Sequence, residues 1–164
     1  MPDELPVNDA DEFRRDFLDL PPASDLGDGF GIVWEYWNRK RGDRIAPSRA
    51  DIDPADLVPC LEGLMLLDVV GYEPKRFRHR LAGTTVDQVH GISVTGVFID
   101  EMKPRGFAVS VNADLLRLAT ERQPQLVRMT FTNRHGLRRQ MHTIRLPLSA
   151  DGESVNMVMV YASS

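Results

Sequence analysis

Phe77-Arg78-His79-Arg80-Leu81-Ala82-Gly83-Thr84-Thr85-Val86-Asp87-Gln88-Val89-His90-Gly91-Ile92-Ser93-Val94-Thr95-Gly96 opens as a strand and closes as a very short helix and a loop. Phe77, His79 and Leu81 alternate with Arg76, Arg78 and Arg80, so the spacing predicts one inward face and one arginine face. Gly83 interrupts the strand. Thr85 and Gln88 have the spacing of a capping box, in which each side chain satisfies an N–H at a helix start. Gly91 is placed to end that helix before its second turn is complete. An arginine-striped strand, a glycine and a stub of helix read together as one wall and the lid of a small pocket.

On the N-terminal side of this stretch, Leu64 to Val70 is a strand apolar on both faces, which predicts a central or covered position. Gly71 to Lys75 turns the chain between the two strands. On the C-terminal side, a loop ending at Asp100-Glu101 leads through Pro104 into the longest helix, with Phe107, Val111, Leu115, Leu118 and Ala119 on its buried face and Pro124 ending it. Three strands in a meander follow: Leu126–Thr132, Arg138–Leu148 and Val155–Tyr161, with turns at Asn133–Gly136 and Ser149–Gly152. Both faces of such a sheet need cover.

Further out, Phe30, Val33, Trp34 and Trp37 fall at i, i+3, i+4 and i+7, the stripe of an amphipathic helix over 29–41. Arg39, Lys40 and Arg41 suit its C-terminal end, and Gly42 stops it. This helix either covers the sheet or forms a dimer or partner surface through Phe30, Trp34, Tyr36 and Trp37, since large aromatics serve as interface anchors. Asp53-Pro54 starts a short helix near 54–58. Arg49 and Asp51 are close enough in sequence to pair at the surface. Residues 1–28, rich in Asp, Pro and Glu, read as an acidic tail with at most one short helix around Asp11 to Leu20. The expected architecture is α+β: a five-stranded antiparallel sheet with central helices on one face, spanning residues 29–162 as one domain.

That order of elements is that of the PAS fold, and three stretches resemble a family of bacterial PAS domains that often stand alone as small proteins. They are Trp37, Arg41 and Pro47-Ser48-Arg49 through Asp53-Pro54; Phe77 to Thr84; and Gly91 to Gly96. Leu146-Pro147-Leu148 ahead of Asp151-Gly152 resembles the family's penultimate strand, so the likeness runs over about residues 30–161. His79 stands where the family has an aromatic such as tyrosine. The resemblance implies a cytoplasmic sensory or regulatory module, not an enzyme, that binds a small molecule between sheet and helices or pairs with a histidine kinase or a second copy of itself.

Composition agrees with a globular chain: 164 residues, 42% apolar and 27% charged, with a net charge of −4 that does not favour nucleic acid. The acidic start and the short apolar runs predict neither a signal segment nor a membrane span. Cys60 is alone, which leaves no internal disulfide and no multi-cysteine metal site. The candidate pocket consists of Phe77, His79, Leu81, Thr84, Thr85, Gln88, Phe107 and Val111, an apolar lining with few polar groups. Haem would require His79 or His90 as axial ligand, and flavin photochemistry a cysteine facing the ring, a position Cys60 does not have; neither cofactor is expected. Arg134, His135, Arg138 and Arg139 would form a basic patch with Arg76, Arg78 and Arg80 only if their strands were neighbours. The rival class is a cone-shaped isomerase or dehydratase, which needs a pocket carboxylate of raised pKa. Asp68 is the candidate for that role, and it reads better as a structural hydrogen-bonder, as Asp100-Glu101 reads better as a helix cap.

Overall fold

β1 (Phe13–Leu18) occupies the edge of a six-stranded sheet in a computed structural model that describes residues 13–164. It pairs antiparallel with β4 (Gln125–Thr132), Phe13 opposite Phe131 and Leu18 opposite Leu126. This corrects two expectations, the helix around Asp11 to Leu20 and the count of five strands; residues 1–12 of the supposed tail lie outside the described residues. The run Arg14-Arg15-Asp16 breaks any apolar alternation, and the partner strand is more than a hundred residues away, so nothing local marks the strand. What holds it is tertiary. Phe13 is buried edge-on against Phe107, with ring centroids 5.6 Å apart, and Asp16 pairs at 3.1 Å with Arg128 directly across the ladder.

The remaining strands are β2 (Leu64–Val70), β3 (Arg76–Ala82), β5 (Arg138–Leu148) and β6 (Met157–Ser163). The sheet order is β1-β4-β5-β6-β2-β3, with every neighbouring pair antiparallel. The meander β4-β5-β6 follows its sequence pattern closely. In the β2–β3 ladder, Leu66 faces Leu81 and Leu67 faces His79, so Arg80 is an extra residue and β3 bulges there. An extra residue reverses the faces of the side chains beyond it. Phe77 and His79 are fully buried, whereas Leu81, expected beside them, is 44% exposed with Leu66 on the other side of the sheet.

α1 (Asp28–Arg41) and a 3-10 helix at Pro54–Gly63 cover one face, packing Phe30, Val33, Tyr36 and Trp37 against Leu64, Leu66, Ile144 and Leu146. Asp53 caps the 3-10 segment by accepting from the Ala55 N–H at 3.0 Å. The Trp37 indole N–H donates to the Pro147 carbonyl at 2.9 Å, tying α1 to β5. Tyr36, which sequence spacing puts off the main stripe, is buried as well. Its hydroxyl donates to Asp56 Oδ2 and accepts from the Asp53 N–H, both at 2.9 Å, so it latches the helix to the connector. Tyr36→Phe is expected to cost about 1–2 kcal/mol through the loss of these two hydrogen bonds, measured by urea unfolding; a loss near zero would mean the latch is idle.

α2 (Thr84–His90) and α3 (Arg105–Glu121) cover the opposite face, burying Val86, Val89, Phe107, Val111, Leu115 and Leu118 against Leu67, Phe77, Met129 and Met141. Gly83, not Thr85, is the N-cap of α2, and the capping box expected from Thr85 and Gln88 does not form because Thr85 already lies in the first turn. Gly91 ends the helix as expected, in the left-handed region (φ 76°) with its N–H on the Asp87 carbonyl at 2.8 Å. α3 stops before Pro124, at Arg122, whose φ of 58° turns the chain out of the helix.

Candidate functional site

A cavity of about 20 Å³ lies between the sheet and the roof formed by α2 and α3. Its floor is the middle of β5, where strand alternation sends Met141, Thr143 and Arg145 to the cavity side and Ile144 and Leu146 to the α1 side. His79 comes from β3, held there by the phase of β3 before its bulge. His90 reaches down from the last turn of α2. Phe107 and Val111 close the roof.

The two histidines are both neutral, for the same reason. His79 is 1% exposed, and its Nδ1 lies 2.7 Å from the Val97 carbonyl. A carbonyl only accepts, so Nδ1 carries the proton and Nε2 the lone pair. Burial lowers the pKa of His79, and the Val97 carbonyl and the more distant Asp87 oppose it in part. His90, 3% exposed, stacks on Phe131 with centroids 5.1 Å apart and meets Phe107 edge-on at 4.9 Å. Burial pushes its pKa down to about 3, with the neighbouring His79 adding to the effect. Among the described residues His90 Nδ1 has no hydrogen-bond partner, and neither does the buried hydroxyl of Thr143.

Arg145 is the most unusual group in the site, a guanidinium only 2% exposed. Its Nη1 donates to Asp114 Oδ2 and to Gln125 Oε1, both at 3.1 Å, while Nη2 meets the Met129 thioether at 3.5 Å. Asp114, buried on α3, is already held by Arg15 of β1 through two bonds of 2.6 and 2.9 Å. Gln125 closes the network by donating to the Asp114 carbonyl at 2.8 Å. Burial lowers the pKa of Arg145, Asp114 opposes that, and Arg15 and Arg117 reinforce it.

Of the residues expected to form the pocket, the structure brings His79, Phe107 and Val111 to the cavity. Phe77 is in the same core. Leu81 is on the opposite face, beside Leu61, Leu66 and Met159 in a shallow apolar groove of about 80 Å³. Thr84 and Gln88 are exposed and Thr85 half-buried on the outer side of α2. Thr143, Arg145 and Asp114 are not singled out by sequence. A signal existed for the first two, because polar residues at alternate positions of a strand covered on both faces must point into a core.

The other candidates have structural duties. Phe30, Tyr36 and Trp37 are buried in the second core, and Trp34 is half-buried with its ring stacked 6.0 Å from that of Trp37. Asp68 pairs with Arg78 at 3.6 Å and Arg80 at 3.4 Å, and Arg76 holds Asp100 through bonds of 2.7 and 2.8 Å. Glu101 accepts from the Phe98 N–H at 3.1 Å as a cap. Asp51 bonds Ser48 and pairs with Arg44 at 3.0 Å, not with Arg49. β3 and β5 are separated by two strands, so the two groups of arginines do not merge into one patch. Cys60 lies in the second core, 3.8 Å from the Gly29 carbonyl, away from the cavity. The residues around the cavity therefore do not fit a flavin that reacts with cysteine. Among the described residues, no helix is long and apolar enough to cross a membrane.

Known proteins place this geometry in context. Among curated proteins none matches the chain. The blue-light photoreceptor Vivid in its photo-excited form is similar in structure, with a TM-score of 0.50, 17% identity, and 87% of this chain and 98% of that one covered. An RNA-binding light-oxygen-voltage receptor is similar at a TM-score of 0.50 and 11% identity over 94% of this chain; the chain spans 39% of that receptor's length. At these identities the likeness is one of fold. A PAS-domain family profile matches residues 31–161, from within α1 to within β6. The chain belongs to the PAS-domain family.

Proposed function

We propose that this sensory-type fold works as a cytoplasmic regulatory module that takes up a small molecule in the cavity between sheet and helices and passes the change to a partner. One observation carries the reading: the Thr143 hydroxyl and His90 Nδ1 are buried at one small cavity without partners among the described residues. Unsatisfied polar atoms cost free energy in a core, and a site that gathers them is suited to a polar guest. β5 provides a route for the signal. Thr143 and Arg145 face the cavity while Ile144 and Leu146 face α1, and the next residue, Pro147, accepts the Trp37 indole N–H. A guest that shifts β5 would move α1, where exposed Ile32 and half-buried Trp34 can meet a second copy or a histidine kinase.

Native mass spectrometry of freshly purified protein tests this. A bound small molecule or a dimer is expected; a bare monomer would count against both the ligand and the self-association versions. Unfolding in the presence of a bound ligand is expected to need about 2.7 kcal/mol more at a hundredfold excess over Kd. The isomerase or dehydratase alternative gains no support, because no carboxylate lines the cavity among the described residues.

A further inference from the structure

We infer that the cavity is built for the carboxylate of a small organic monoanion, with Arg145 Nη2 as its principal donor and the Thr143 hydroxyl and His90 Nδ1 beside it. The inference rests on the ligand-binding reading above and assigns the chemical class of the ligand.

Charge is unbalanced in this part of the core. Two guanidinium groups, Arg15 and Arg145, share the single carboxylate of Asp114. Arg15 takes both carboxylate oxygens, leaving Arg145 one bond to an acid that is already engaged. Among the described residues one positive charge is thus in excess, and Arg145 is the buried member, with Arg15 about a third exposed and able to draw on water. Buried charges are retained where they are paired, and this one is paired by half. The shortfall is on Nη2, whose partner is a thioether, a weak acceptor. That same side chain lines the cavity with Met129, Thr143 and His90.

The nature of the anion follows from the rest of the wall. His79 and His90 are neutral and add no positive charge, so a dianion such as sulfate would bring two charges to meet one. A carboxylate matches the single excess charge and the planar edge of a guanidinium. Apart from the polar groups named, the walls are methionine, leucine, isoleucine, valine and phenylalanine, which suits an apolar body. The volume of about 20 Å³ holds roughly one water. Met65, Met129 and Met141 line it, and methionine's three rotatable bonds allow such walls to repack around a larger guest.

The test uses butyrate with its neutral counterparts butyramide and 1-butanol, titrated into the full chain and followed by the NMR signals of the methionine methyl groups. Butyrate is expected to saturate the shifts of the methyls at the cavity, with butyramide and butanol at least tenfold weaker. Thr143→Val, which keeps the shape of the side chain, is expected to weaken butyrate about tenfold; Arg145→Met is expected to abolish the difference between butyrate and butyramide. Equal binding of all three compounds would overturn the carboxylate assignment and leave the cavity standing as a ligand site. Saturable shifts from none of them, with a ligand-free mass spectrum, would overturn both readings. Unchanged butyrate affinity in Thr143→Val would remove the hydroxyl from the site.

Discussion

Asp114→Asn is expected to destabilise the protein by about 3–5 kcal/mol, the usual cost of removing one partner from a buried ion pair. Among the described residues Asp114 is the carboxylate shared by Arg15 and Arg145, and its loss leaves a guanidinium that is 2% exposed with neutral partners only. Arg15 suffers less because it can turn to solvent. At roughly 2–4 °C per kcal/mol for a chain of this size, the melting temperature should fall by about 10 °C. The network also fastens three elements, β1 through Arg15, α3 through Asp114 and β5 through Arg145, so β1 should lose hydrogen-exchange protection first. A paired change, Asp114→Leu with Arg145→Met, removes both buried charges and should recover most of the loss, since apolar replacement of a buried pair is often neutral or better. A drop below about 1 kcal/mol in Asp114→Asn would show that these ion pairs do not hold the fold together.

Acid should destabilise the fold through His90. Its pKa in the folded protein is held near 3 by burial, against about 6.5 in an unfolded chain. Between those values the unfolded state binds a proton and the folded state does not, so stability rises with pH. The contribution is whole above pH 6.5 and is lost progressively as the pH falls toward 3. From pH 7 to pH 4.5 the loss is about 2–3 kcal/mol for this residue alone, because each pH unit below 6.5 costs about 1.4 kcal/mol. His79 and the half-buried His142, both lowered by burial first, act in the same direction. The lowered carboxylates Asp51, Asp100 and Asp151 lose their contribution only below their ordinary range, near pH 4. His90→Phe should therefore flatten the dependence between pH 4.5 and 6.5 in denaturant titrations while preserving the stack on Phe131. A profile as steep as that of the unmodified protein would show that His90 is not the group responsible.

How far the chain could be read from its letters varies by residue in a consistent way. The stretch Phe77–Gly96 yielded the strand, the break at Gly83 and the stop at Gly91, because alternation is a local pattern and the stop uses glycine's freedom at positive φ. The same stretch misplaced Leu81 and the capping box. The bulge at Arg80 is set by how β3 registers against β2, and the N-cap by where the chain leaves that ladder at Gly83. The amphipathic stripe of α1 and the meander of the last three strands were legible for the same local reason, as was the need to cover both faces of the sheet.

Periodicity and turn chemistry by themselves determined an α+β domain, the phase of most strands and the inward face of Phe77 and His79, and the resemblance of its motifs pointed to the PAS kind. Only the tertiary structure decided the sixth strand, the outward turn of Leu81, and the meeting of Arg15, Asp114 and Arg145 from three distant elements. The physical reason is the range of the forces involved. Alternation and capping are satisfied within a few residues of the chain. A half-paired buried charge exists only once separate elements have excluded water from around it.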